Sequence, residues 1–284
     1  MPVSERQVIP ISALGQSIGQ VTKTVTVRDV TAFAAGIGAG RAAYFAELPL
    51  APPSMIVALE WPLLNGTLYR HLLNAPQEVM ERAVHLQQAS RFHRPIVPGL
   101  GVTTSGKIVG MRQARRGVIV QVALATAGPE DEAIAQSTFT ALFLDTTLDA
   151  EANGMSGRPP LAGEIDADHR AEREVPVGTA HIYTECSGIW NPIHTEIGAA
   201  RRAGFDRPMV HGTWTWAVAM EQAIDWWCAR DPQKLQSWTG DFVAPVIPGL
   251  PIELAGRLKY GEGRIEVLRA GRICTRAGGT VAAS

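Results

Sequence analysis

No stretch of the chain is apolar for long enough to cross a bilayer, so a membrane-spanning protein is not expected. The opening residues, "MPVSERQVIPISALGQSIG", lack a basic segment followed by an apolar core, and no signal peptide is expected there. Charge is scarce: 19% of the 284 residues are charged and the formal net charge is -1, which argues against an extended nucleic-acid surface. Cysteine is scarcer still. Cys186, Cys228 and Cys274 show no metal-ligand spacing and form no even framework, which points to a reducing compartment, read here as the cytoplasm. No metal is expected, since His194 and His211 have no His, Cys or Asp companions at ligand spacing. What remains is an apolar globular chain, 46% hydrophobic, long enough for two domains of ordinary size.

Two stretches of that chain repeat each other. "FHRPIVPGL" from Phe92 and "FVAPVIPGL" from Phe242 share F-x-x-P-x-x-P-G-L at an offset of 150 residues. The same offset sets "FAAGIG" from Phe33 on "YTECSG" from Tyr183, which indicates two copies of one module. In the first, "PPSMIVALEWPLLNGTLYRHLL" reads as a helix interrupted at Pro62, followed by four strands. The second runs parallel, with a helix over His211 to Arg230 and four shorter strands. Between them lies an acidic, Gly/Pro-rich, aperiodic stretch. The expected division is an N-terminal module over 1–150, a linker over 151–176 and a C-terminal module over 177–284. One long apolar helix followed by antiparallel strands suggests α+β layers, with two curled antiparallel sheets each wrapped around a long central helix. A ligand site is expected where the modules meet.

The chemistry concentrates in the second copy. Asn191-Pro192 is a rigid turn that fixes the approach to His194, and histidine is suited to moving protons near neutral pH. A capping or surface histidine is the plainer reading of His194 taken alone. Further on, "VHGTWTWAVAMEQAIDWW" is apolar nearly all round at its start, so its first turns should be buried. The first-turn N–H groups of a buried helix need an acceptor and can hold a carbonyl oxygen as it gains negative charge. Gly212 permits close approach there, although Thr213 capping the helix would also account for the pattern. Together these features suit addition or removal of water beside a carbonyl or thioester. Neither Ser187 nor Cys186 sits in a nucleophile elbow.

"YTECSGIWNPIH" followed by "AGFDRPMVHG" resembles the MaoC-like (R)-specific enoyl-CoA hydratases and dehydratases, in their tandem, double hot-dog form. The resemblance implies a degenerate first copy and a site-bearing second copy. It also implies that His194 is catalytic, that Asn191 supports the turn and that Gly212 supplies the oxyanion N–H. The implied substrate is an acyl-CoA thioester, with coenzyme A entering as part of the substrate and not as a cofactor. Arg201, Arg202 and Arg207 are the arginines available for its phosphates, and Ile189, Trp190, His211 and Trp214 the residues available for the pocket.

One departure stands out. The family pattern S-G-D-x-N-P-x-H has an aspartate where this chain has Ile189, and isoleucine cannot carry a proton. Losing one acid/base group costs roughly 10²–10⁴ in rate if nothing replaces it. Glu185 is the first candidate to lend a carboxylate, ahead of Glu196 and Asp206. The leading expectation is a hydro-lyase that hydrates a 2-enoyl-CoA or dehydrates a 3-hydroxyacyl-CoA. The alternatives are another His-only elimination or isomerisation, and a non-catalytic thioester-binding or partner subunit. Further assembly is optional, with a homodimer the expected form; no nucleic-acid or membrane partner is expected.

Overall fold

The computed structural model describes residues 6–152, 155, 160–161, 163 and 165–282. The first half opens with β1 (Gln7–Ile9), β2 (Ser17–Thr24) and α1 (Val27–Gly36). Thr26 and Asp29 form a reciprocal capping box at the start of α1. Three short helices follow: α2 (Ile56–Leu64), α3 (Thr67–Leu72) and α4 (Gln77–Glu81). Then come β3 (Val84–Phe92), β4 (Gly101–Ala114), β5 (Gly117–Ala127), β6 (Ala133–Leu144) and β7 (Thr146–Leu148). The second half holds β8 (His169–Arg173), α5 (Thr179–Ser187), α6 (Ile197–Arg202) and α7 (Gly212–Trp227). It closes with β9 (Ser237–Phe242), β10 (Ile252–Lys259), β11 (Glu262–Arg269) and β12 (Arg272–Thr280).

The α+β class stands, but the expectation of two curled sheets, each wrapped around a long central helix, does not. Ten strands form one open sheet in the order β2-β4-β5-β6-β3-β9-β12-β11-β10-β8, beside a small parallel β1-β7 pair. The halves fuse because β3 and β9 pair antiparallel, from Gln87 opposite Asp241 to Arg91 opposite Ser237. Each strand thereby covers an edge whose backbone groups would otherwise lie open. The helices differ as well. In the second half α7 is continuous and almost wholly buried. In the first, Pro62 lies inside α2, which ends at Leu64 before Gly66 starts α3. The strand β8 falls inside the stretch expected to be linker and pairs with β10, His169 opposite Gly256.

The 150-residue offset has a geometric meaning. Ala89 pairs with Thr239, its own counterpart under that offset, at the middle of the β3–β9 ladder. The rings of Phe33 and Tyr183, also counterparts, meet edge to face with centroids 6.0 Å apart. Gly36 and Cys186 are a third such pair. A Cβ on Gly36 would lie 2.6 Å from the Cys186 Cβ, so only glycine lets α1 and α5 approach this closely. Equivalent residues that touch each other mark a local two-fold axis, the arrangement of a symmetric dimer carried within one chain.

Candidate active site

Beside that axis, residues of both halves line a cavity of about 490 Å³. The His turn is built locally. Gly188 takes a left-handed conformation (φ 70°) that ends α5, and Ser187 Oγ accepts the Ile189 N–H at 3.2 Å. Asn191 Oδ1 then accepts the Ile193 N–H at 3.2 Å and caps the single turn 192–194. Its Nδ2 donates to the Glu81 carbonyl at 3.2 Å, which ties the turn to the first half. Both polar ends of Asn191 are thus engaged in positioning the turn.

His194 Nδ1 lies 2.9 Å from the Met209 carbonyl. A carbonyl only accepts, so Nδ1 carries the hydrogen and Nε2 keeps its lone pair. Burial holds this imidazole down at about 4, partly opposed by the Met209 bond, so the ring is neutral at physiological pH. His211 stacks on it and donates Nε2–H to the Ile189 carbonyl at 3.0 Å. Burial, and then the neighbouring His194, hold His211 well below its ordinary range. Its Nδ1 has no hydrogen-bond partner among the described residues.

His211 directly precedes α7, and Gly212 is the first residue of that helix. A Cβ at Gly212 would lie 2.9 Å from the Phe242 ring, so the missing side chain keeps this helix start open. Thr215 Oγ1 donates to the Gly212 carbonyl at 2.8 Å, and Tyr183 OH donates to Thr213 Oγ1 at 3.1 Å. The cavity therefore brings together a neutral imidazole with a free Nε2 and the N-terminus of a long buried helix.

Of the expected site residues, Ile189, Trp190, Asn191, His194, His211 and Gly212 line this cavity. Trp214 does not. Gly212, Thr213 and Thr215 take the cavity side of the first turn, and the helical step turns Trp214 into the core. There the Arg173 guanidinium lies 5.8 Å from its ring centroid. Glu185 is exposed on α5 and does not line the cavity. Glu196 and Asp206 are exposed too and do not line it. Arg201, Arg202 and Arg207 are exposed and flank Ala203, Gly204 and Phe205, which line the cavity.

The lining residues of the first half escaped the sequence reading, among them Glu60, Tyr69, Arg82, His85, Gln88 and Arg116. The one available signal was Glu60, a lone carboxylate in the apolar run "MIVALEWPLL". No group of His, Cys, Asp and Glu that could hold a metal occurs among the described residues.

Two repeated halves sharing one sheet, with a cleft between them, define a double hot-dog protein. Residues 162–261 match the family described as MaoC like domain, and residues 12–136 match the FAS1-like dehydratase domain region. The chain is similar in structure to a MaoC-like dehydratase from Phytophthora capsici, with TM-score 0.81 and 17% identity, covering 96% of this chain and 98% of that one. It also resembles the full-length peroxisomal multifunctional enzyme type 2 of Drosophila melanogaster, with TM-score 0.77 and 18% identity, over 93% of this chain and 48% of that one. Residues 162–261 thus carry a MaoC-like domain, and the chain as a whole has the double hot-dog fold of these structures.

In sequence it is 38% identical over 63 residues to the peroxisomal enoyl-CoA hydratase 2 of Arabidopsis thaliana, a match over 22% of this chain and 20% of that protein. It is 25% identical to 3-hydroxyacyl-thioester dehydratase Y of Mycobacterium tuberculosis, over 82% of this chain and 83% of that protein. The Arabidopsis match thus spans about a fifth of that relative's length. The expectation of a cytoplasmic location is overturned, because the Arabidopsis and Drosophila relatives are named as peroxisomal. Free cysteines indicate a reducing environment without saying which compartment provides it.

Proposed function

We propose that the protein catalyses reversible hydration of a 2-enoyl thioester of coenzyme A. The observation that carries this reading is the His194 ring, held by the Met209 carbonyl with Nε2 left free in the same cavity as the Gly212 helix start. His194 Nε2 takes a proton from water as the water oxygen bonds to C3 of the enoyl group. The C2–C3 π electrons move toward C1, and the carbonyl oxygen becomes an enolate held by the Gly212 N–H. The imidazolium then returns the proton to C2, which completes the 3-hydroxyacyl thioester. The reverse sequence is dehydration.

Ile189 shapes how this works. Its side chain is buried in the cavity wall where the family pattern has a carboxylate. An apolar wall strengthens the attraction between the helix N–H groups and the enolate. It also raises the cost of charging His194, which acts from its neutral form. Trp190, half-exposed, forms part of the rim, and Arg201, Arg202 and Arg207 supply positive charge for the coenzyme A phosphates.

Ile189 favours a second reading, a thioester-binding subunit without turnover. Hydration of 2-enoyl-CoA thioesters by wild type and His194→Ala separates the two. Turnover lost in the variant supports the lyase; binding without turnover in the wild type supports the silent subunit. Light scattering would test assembly into a homodimer.

A further inference from the structure

The cavity continues past the His turn into the first half, and its wall there is not purely apolar. Glu60 of α2 is buried, and among the described residues its hydrogen-bond partners are neutral: Gln88 Nε2 at 3.0 Å and the Ser137 hydroxyl. No cation pairs with it among the described residues. Tyr69 of α3 is 1% exposed, and its hydroxyl has no hydrogen-bond partner among the described residues. Both residues line the cavity.

The position of this group relative to the reaction is set by aromatic rings. Phe242 lies against Gly212 and meets the His85 ring at a tilt of 60°, with centroids 4.7 Å apart. His85 in turn meets Phe139 at a tilt of 39°, with centroids 4.4 Å apart, and Phe139 is opposite Gln88 in the sheet. Gln88, hydrogen-bonded to Glu60, is thus connected to Gly212 along the cavity wall through Phe242, His85 and Phe139. Under the 150-residue offset the counterpart of Gln88 in the second half is the fully buried Trp238.

A buried carboxyl without a counter-charge and a buried hydroxyl without a partner are costly to keep beside an apolar space. Both costs fall when a ligand brings an oxygen to them. We infer that Glu60 and Tyr69 form a specificity site for acyl groups carrying a hydroxyl or carbonyl oxygen distal to the reacting carbons. This rests on the thioester reading above. Burial pushes the Glu60 carboxyl up to about 7, so near neutrality it can accept from a hydroxyl or donate to a carbonyl.

The test uses calorimetric binding of saturated acyl-CoA thioesters, which cannot be hydrated. ω-Hydroxy and ω-oxo chains of stepped length are compared with unsubstituted chains of equal length. The wild type should prefer the oxygenated member at one chain length by roughly tenfold or more. Tyr69→Phe and Glu60→Met should each reduce that preference by roughly tenfold. Tyr69→Phe should also leave the unfolding midpoint unchanged or raised, because it removes an unpaired buried hydroxyl. A wild type with no preference, or a preference that survives both substitutions, overturns the specificity site. Selective binding without turnover of the matching 2-enoyl-CoA overturns the lyase reading alone. Failure of every thioester to bind overturns both.

Discussion

The imidazole rings of His194 and His211 stack face to face, with centroids 3.6 Å apart and 27° between their planes. Two cations cannot share that spacing, so protonating either ring opposes protonating the other. Each ring gives one N–H to a backbone carbonyl, Met209 for His194 and Ile189 for His211. The residue that replaces the expected aspartate thus still takes part in the site through its main chain.

The rate of hydration should follow from this pairing. With His194 held at about 4 and required in its neutral form, the acid limb of kcat/KM should fall near that value and not near 6.5. Steady-state rates from pH 4 upward on a 2-enoyl-CoA check it, and an acid limb near 6.5 contradicts it. Stability should follow the same sign. The unfolded imidazole takes up its proton near 6.5 and the folded one only near 4, so this contribution is full above 6.5 and is lost as pH falls through the folded value.

Glu60 carries the opposite sign. Its folded carboxyl keeps a proton up to about 7, against 4.5 for an ordinary one. Stability from this group is present below 4.5 and declines as pH rises toward 7. Glu60→Gln should therefore gain stability relative to wild type across that window, measured by urea unfolding at a series of pH values. A difference independent of pH would mean that Glu60 titrates normally.

Gly212→Ala should lower kcat by roughly 10–10³ while the protein stays folded. The added methyl would lie 2.9 Å from the Phe242 ring and occupy the approach to the helix N–H groups. Adding Phe242→Leu removes that ring and should relieve the strain without restoring the rate. Circular dichroism and turnover on the single and double variants distinguish packing from chemistry.

Arg41 joins the halves elsewhere. It is buried, pairs with Glu221 at 3.1 Å and Asp225 at 3.3 Å, and donates to the Arg230 carbonyl at 3.0 Å. Tyr44, the counterpart of His194 in the first copy, donates to the same Glu221 at 2.7 Å. Arg41→Met should cost roughly 3–5 kcal/mol by leaving Glu221 buried without its cation, and the added change Glu221→Met should recover most of it. Urea unfolding of both variants reads this, with thioester binding retained.

Much of this was legible in the primary sequence, for identifiable reasons. The F-x-x-P-x-x-P-G-L stretches mark the ends of β3 and β9, because a rigid, proline-rich turn must follow each strand. The His turn and the Gly212 helix start are local motifs, carried by a few neighbouring residues. Side-by-side pairing of the two modules' sheets follows from the repeat, but which edges meet was not legible, since β3 and β9 lie 150 residues apart. The direction of Trp214 depends on which side of α7 meets the cavity, and only the packed helix decides that. Tyr69 and Gln88 sit in segments whose composition resembles ordinary helix and strand, so nothing local marked them as cavity residues.

In the proposed reaction His194 alone, with Ile189 beside it, drives hydration at this helix start. Turnover of a 2-enoyl-CoA panel by wild type, His194→Ala and Ile189→Asp tests it most directly. The account predicts a wild type that hydrates at least one thioester and an alanine variant slower by roughly 10²–10⁴ with binding retained. A His194→Ala protein as fast as wild type would contradict it, as would a wild type that binds thioesters but turns over none until Ile189→Asp restores the carboxylate.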